Sequence, residues 1–246
     1  MKVPFNHRIA KIWDLNLKIR AEDIENGTDL TYRQVIMPWV LSQLSCFVKK
    51  EHSILDIGCG CGYLTNAVYE KFGVSISGID ISSNSIAYAK KKYPHLIFEH
   101  RDLYNDAFQI SYDSALAIMV LNNMPDLADF FSVVYKALKS GGHLVLVIPH
   151  PVFWTKKHLN SNLFLYMKED CYSVGFSTKG RSDYAAEILY FHRPLSTYLN
   201  CIAEAGFQIK RVCELCEITG QHAPDLLGFV IQKPIAPDEQ YNDICS

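Results

Sequence analysis

Apolar positions change period along this chain, and the change divides it into regions. In the first fifty residues the spacing is helical. Ile9, Ile12, Trp13 and Leu17 share one face, and Ile36, Val40, Leu44, Phe47 and Val48 share another. Pro38 lies inside the second pattern, which predicts a first helical turn or a kink there. Between the two patterns, Glu25-Asn26-Gly27-Thr28-Asp29 reads as a loop. From Ser53 onward, short apolar runs alternate with amphipathic segments. Strands are predicted at 53–57, 74–79, 96–100, 112–120 and 143–148, and helices at 63–72, 82–92 and 127–138, the last closed by Gly141-Gly142. This alternation means βαβ units and a parallel sheet, and the nearly continuous apolar strands mean a sheet covered on both faces. After Pro149 the rhythm stops for about forty residues. A helix over 195–205 follows, then two strands at 207–215 and 226–232, joined by too short a link for anything but an antiparallel pair. The end of the chain from Pro234 shows no periodicity.

Composition narrows the class. The 246 residues are 49% hydrophobic and 20% charged, which is ordinary for a globular chain and excludes disordered, collagen-like and coiled-coil classes. A net charge of -2 makes nucleic acid an improbable partner, because a sequence-independent binder needs a basic field. No run reaches the ~20 apolar residues of a membrane span, and Met1–Arg20 lacks the apolar centre of a signal peptide, so a cytoplasmic protein is expected. The 8 cysteines, at 46, 59, 61, 171, 201, 213, 216 and 245, then read as buried or free thiols. Cys213-x-x-Cys216 has no second pair at similar spacing, so no metal site is expected.

The sharpest chemical signal is Asp56-Ile57-Gly58-Cys59-Gly60-Cys61-Gly62, at the first strand-to-helix turn. Glycines there let the backbone approach a ligand, and the next helix offers unpaired N–H groups. The spacing departs from the dinucleotide pattern G-x-G-x-x-G, since Tyr63 stands where that pattern needs its third glycine. A carboxylate at position 56 is unhelpful beside a pyrophosphate and suits a ligand that carries an amino group.

That segment resembles the D/E-x-G-x-G-x-G motif of class I S-adenosylmethionine-dependent methyltransferases. Further landmarks of that family follow in order: Gly78-Ile79-Asp80-Ile81-Ser82, His100-Arg101-Asp102-Leu103, Tyr112-Asp113 with 118–125, and Leu138-Lys139-Ser140-Gly141-Gly142-His143-Leu144. They cover roughly residues 50–150. The resemblance implies a Rossmann-like, doubly wound, seven-stranded and mostly parallel sheet whose last strand pair is antiparallel. It implies one domain, with a helical segment at 1–50, a cofactor-binding half at 51–149, a substrate cap at 150–194, a helix and strand pair at 195–233, and a tail at 234–246. S-adenosylmethionine is the implied cofactor, held by Asp56, Gly58, Cys59, Gly60, Gly62, Asp80, Ile81, Asp102, Leu103 and Met119. Asp80 is expected on the ribose hydroxyls and Asp102 on the adenine amine, with Tyr32 and Arg33 over the methionine end.

The acceptor side is expected at the carboxyl ends of the strands. Leu121-Asn122-Asn123-Met124-Pro125 matches neither the N-P-P-[YF] motif nor a cysteine-nucleophile motif. The segment 150–194 is rich in aromatics, including Trp154, Tyr166, Tyr172, Tyr184, Tyr190 and Phe191, which suits an enclosed pocket for a small molecule. Its Tyr-Phe-His-Arg-Pro-Leu and Pro-His-Pro-Val-Phe strings resemble small-molecule methyltransferases of the ubiquinone-biosynthesis type. His192 is the expected general base, with His150 as the alternative, and Arg193, Asn123 and Trp154 are expected on the substrate. A small-molecule O- or N-methyltransferase is therefore the leading expectation. An RNA or protein methyltransferase using Lys156, Lys157, Lys168, Lys179 and Arg181, or a non-catalytic cofactor-binding partner subunit, are the alternatives.

Overall fold

The computed structural model describes residues 2–104, 108, 110–153, 166–175, 184–216 and 223–236. Five strands, β1 (Ser53–Ile57), β2 (Ser75–Asp80), β3 (Ile97–His100), β4 (Tyr112–Ile118) and β5 (Leu138–Pro149), run parallel. With β8 (Gln208–Leu215) and β9 (Leu226–Gln232) they form a seven-stranded sheet in the order β3-β2-β1-β4-β5-β9-β8. β9 is antiparallel to both β5 and β8, so the expected last strand pair is present.

The central strands β1, β4, β5 and β9 are largely apolar because both faces are covered there. On one face, π-helical turn Tyr32–Ile36, α2 (Met37–Leu44), α3 (Tyr63–Phe72) and α4 (Ser83–Lys92) bury Ile36, Val40, Leu64, Val68 and Ile86 against Ile54, Val145 and Val147. On the other, α5 (Leu127–Ala137) and α6 (Leu195–Glu204) bury Phe130, Phe131, Val134 and Ile202 against Leu55, Leu144 and Leu146. Neighbours such as Ile54 and Leu55 thus serve opposite cores, as the two-residue strand period requires. Pro38 sits in the first turn of α2, where its missing N–H costs nothing, and the π-helical turn precedes it.

Two elements differ from the sequence reading, and the expected first helix gains its bounds. α5 ends at Ala137, and Gly141-Gly142 lie inside β5 rather than capping the helix. The pairing shifts register there, from Tyr112↔Leu138 to Ser114↔His143, and the glycines form the bulge. The first helix is a single 24-residue α1 (Lys2–Glu25). The region after Pro149 holds a hairpin, β6 (Asp170–Val174) and β7 (Ile188–His192), in a separate two-stranded sheet. Ile9 and Ile12 of α1 pack on Val174, Ile188 and Tyr190 of this hairpin, forming a third core. Asn16 ties them polarly: its Nδ2 donates to the Ala186 carbonyl at 2.8 Å and its Oδ1 accepts from the Ala186 N–H at 2.9 Å.

Among the described residues, no helix is long and apolar enough to cross a membrane.

Candidate functional site

Chain order reverses between β1 and β4: β2 and β3 lie on one side of β1, β4 and β5 on the other. The loops leaving the carboxyl ends of β1 and β4 must part there, and they leave a crevice. A cavity of about 190 Å³ occupies that crevice. Its floor is the β1 turn, with Gly58, Cys59 and Gly60; its walls are Asp80 and Ile81 after β2, Asp102 and Leu103 after β3, and Met119 after β4. Its roof is α1, through Asn6, Ile9, Trp13, Leu17, Arg20 and Ile24. These fall at the i, i+3, i+4 spacing of one helix face. The periodicity read as a packing stripe is therefore shared between the hairpin and the cavity.

The β1 turn is shaped by backbone. Gly58 has φ +70°, and a Cβ on it would meet Val120 Cγ2 at 2.4 Å. Gly60 has φ +52°, and a Cβ on it would stand in open space. Gly62 caps α3 and packs on Phe98, away from the cavity. Asp80 holds the turn: its Oδ2 accepts from the Gly60 N–H and its Oδ1 from the Ser82 N–H, each at 2.8 Å. Burial raises the Asp80 carboxyl above its ordinary value, opposed by those two N–H groups. Ser82 also caps α4 and donates to Asp14 of α1 at 2.6 Å, so α1 is docked onto the same corner. At the β3 end, Asn6 Nδ2 donates to both oxygens of Asp102, at 3.1 and 2.9 Å, and the Tyr104 N–H donates to Oδ1 at 3.1 Å. Met119, just past β4, is the one non-glycine residue of positive φ among the described residues (+60°); a non-glycine side chain held there is strained, and such strain gathers at ligand sites.

Several expected site residues are elsewhere. Asp56 does not line the cavity. It is buried beneath the turn, accepts from Thr65 Oγ1 at 2.7 Å, and burial pushes it up to about 7. Arg33 is exposed on the π-helical turn; the neighbouring cation that reaches the cavity is Arg20, paired with Asp29 and lying over the Tyr32 ring. Cys59 and Cys61 line the cavity, but burial raises the Cys59 thiol well above its ordinary value and pushes Cys61 up to about 12, so both are neutral thiols at physiological pH. Among the described residues, no group of three His, Cys, Asp or Glu is gathered that could hold a metal ion.

The acceptor-side expectations fare worse. His192 is buried at the end of β7, and its Nε2 donates to the Tyr166 carbonyl at 3.0 Å. His150 is buried too: its Nδ1 accepts from the Val152 N–H at 3.2 Å, leaving Nε2 to face Glu214 at 3.3 Å. Arg193 spends its guanidinium on the carbonyls of Leu121, Phe191 and Met124, at 3.4, 3.5 and 2.5 Å. None of the three lines the cavity. Of the expected acceptor residues that are described, only Asn123 does, fixed by its 2.5 Å bond to the Leu189 carbonyl. Trp154 lies outside the described residues, as do Lys156, Lys157, Lys179 and Arg181. Two described aromatics of the 150–194 segment pack on α1 instead, Phe191 edge-on to Phe5 at 5.7 Å and Tyr184 edge-on to Trp13 at 6.2 Å. The cavity's own aromatics, Trp13, Tyr32, Tyr63 and Tyr104, come from four other segments.

Residues 55–144 match a family model described as a methyltransferase domain. Phosphoethanolamine N-methyltransferase 2 of Caenorhabditis elegans is 33% identical over 106 residues, 41% of this chain and 24% of that protein. The mitochondrial ubiquinone biosynthesis O-methyltransferase of Schizosaccharomyces pombe is 28% identical over 149 residues, 58% of this chain and 52% of that protein. The chain thus spans about half, or less, of the length of these relatives. A solved S-adenosylmethionine-dependent methyltransferase from Methanosarcina mazei superposes with a TM-score of 0.63 at 23% identity, over 78% of this chain and 97% of that one, which establishes a common fold. Sheet order and that superposition give this chain the α/β fold of a solved S-adenosylmethionine-dependent methyltransferase, and the stretch that matches the methyltransferase domain model, 55–144, carries the glycine turn and its two following carboxylates.

Proposed function

We propose that the protein transfers a methyl group from S-adenosylmethionine to an oxygen or nitrogen of a small, largely apolar molecule. One observation carries the reading. The cavity has glycine backbone and two carboxylates on its floor and walls, and the apolar face of α1 as its roof.

The residues present fit the cofactor. The position of a Cβ on Gly60 is open, so the backbone leaves a cradle that any side chain would fill. Asp80 would accept from the ribose hydroxyls, since a carboxylate holds about four lone-pair sites and only two are spent on Gly60 and Ser82. Asp102 would accept from the adenine amine, and Ile81, Leu103 and Met119 would flank the base. Arg20, rather than Arg33, is the cation near Cys61 and Tyr32 that would face the methionine carboxylate. When bound, the cofactor supplies a methyl group on a positively charged sulfur, which an aligned nucleophile can displace without further activation.

The protein's part is alignment and exclusion of water. Positioning alone can supply roughly 7–11 kcal/mol when reactants are held near the attack geometry. Among the described residues no histidine lines the cavity, so a base of that type is not part of this reading. Ile9, Trp13, Leu17 and Met124 offer the acceptor an apolar surface, and Asn123 and Tyr104 offer it polar contacts. Calorimetric titration should show S-adenosylhomocysteine binding, and incubation with S-adenosylmethionine and a panel of apolar alcohols, phenols and amines should release S-adenosylhomocysteine. Absence of binding would refute the cofactor; binding with turnover only on anionic acceptors or RNA would refute the acceptor class.

A further inference from the structure

We infer that Asn6 of α1 is a positioning residue that makes the site selective for a 6-amino purine, acting through Asp102. This rests on the cofactor reading above and adds to it a residue from outside the cofactor-binding half.

Asp102 is the second residue past β3, in a loop where a carboxylate would ordinarily turn toward water. Here it is held from two sides. The Asn6 amide donates to both oxygens, and the Tyr104 N–H donates to one of them. Asn6 is only 6% exposed and lines the cavity beside Asp102, so its amide has exchanged water for this one carboxylate. Asn6 and Asp102 are 96 residues apart, so the contact exists only when α1 is docked. Docking is fixed further along the helix by Asp14 on Ser82 and the Asn84 N–H, and by Asn16 on Ala186.

A carboxylate fixed in this way is an acceptor of set direction. It attracts the N–H of a 6-amino group. It repels the carbonyl oxygen that a 6-oxo purine presents at the same place. Freed from Asn6, the carboxylate can rotate to solvent, and both the attraction and the repulsion fade. Direct hydrogen-bond recognition with a charged partner is the kind of contact that discriminates strongly between such analogues.

The test compares S-adenosylhomocysteine with S-inosylhomocysteine, which carries oxygen in place of the amino group, by titration calorimetry on the full chain. The native protein should prefer the adenosyl compound by about tenfold or more. Asn6→Ala should weaken adenosyl binding about five- to tenfold, leave inosyl binding unchanged or slightly tighter, and bring the preference within about threefold. Asn6→Asp, which keeps the size and sets carboxylate against carboxylate, should lose the preference as fully. Equal weakening of both compounds would overturn the inference and leave Asn6 as a docking residue for α1. Tighter adenosyl binding in Asn6→Ala would overturn it too, since Asn6 would then be occupying the amine's place. Native protein that binds neither compound would refute the cofactor reading itself, which is separable from either of those outcomes.

Discussion

Gly58 and Gly60 are two residues apart, both in the left-handed region, yet an alanine should harm them in different ways. At Gly58 the new Cβ meets Val120 Cγ2 at 2.4 Å, closer than two carbons can stand, so the valine must shift. The left-handed backbone costs a non-glycine residue about 1–2 kcal/mol, and overpacking a tight contact about 1–3 kcal/mol. Gly58→Ala should therefore lose about 2–5 kcal/mol of stability, which lowers the melting temperature by about 5–15 °C in a chain of this size. At Gly60 the Cβ meets no atom within 4 Å, so only the backbone cost of about 1–2 kcal/mol remains. That methyl group instead stands in the ligand's space, and Gly60→Ala should weaken S-adenosylhomocysteine binding by about tenfold or more for want of that room. Differential scanning fluorimetry and calorimetric titration at 15 °C read the two effects separately. A Gly60→Ala variant that melts lower than Gly58→Ala, or that binds the ligand better than Gly58→Ala does, would refute the assignment of Gly58 to packing and Gly60 to the ligand.

Other outcomes follow from groups that the fold has buried. Asp56 ionises near 3.8 when unfolded and near 7 when folded, so the folded state holds the extra proton between those values. Its contribution is fully present below about pH 4 and lost as pH rises through 7; at most about 4 kcal/mol separates the two limits. Asp56→Asn should accordingly raise the melting temperature at pH 8 and flatten its pH dependence while ligand binding holds within about threefold; tenfold weaker binding would place the carboxylate on the ligand after all. Arg193→Ala strands three buried carbonyls and should cost about 2–5 kcal/mol, and Arg193→Lys should not recover it because a point charge cannot span them. An unchanged melting temperature, with a raised Michaelis constant for an anionic acceptor, would restore Arg193 to the substrate. His192→Ala should leave turnover per folded molecule within about twofold, where loss of a general base would cost about 10²–10⁴.

The parts of the fold that were legible in the sequence are those with a local cause. Ile54 and Leu55 belong to opposite cores, so β1 had to carry apolar residues on both faces, and that run is visible without a structure. The α5 end was misplaced because Gly141-Gly142 looks the same in a helix cap and in a bulge; the Ser114↔His143 pairing that decides between them comes from residues far away in sequence. The β6-β7 hairpin was missed for a related reason. Its β6 strand is largely exposed and polar, with Asp170, Cys171 and Ser173, and only β7 carries the apolar run that buries against α1.

The same distinction separates the two halves of the site. Gly58, Gly60, Asp80 and Asp102 each sit where a strand ends and must turn, so their place at the sheet edge follows from the strand beside them. The roof has no such anchor. Trp13 and Arg20 reach the cavity because Asp14 docks on Ser82 and Asn16 on Ala186, contacts spanning 68 and 170 residues that no local pattern announces. His192 and Arg193 failed in the opposite direction. Their string of polar and aromatic types has the chemistry of a site, but the hydrogen bonds the fold shows there run mostly to backbone: the Tyr166 carbonyl for the imidazole, and three carbonyls of the β4–α5 and β7 segments for the guanidinium, which also meets the Tyr198 hydroxyl. Buried polar groups must find partners wherever they are, so a reactive side chain beside a strand end is as often the strut of an irregular turn as its chemistry. Here the strut shapes the cavity all the same, because the Leu121–Asn123 turn that Arg193 holds carries Asn123 into it, the one expected acceptor residue among the described residues that lines it.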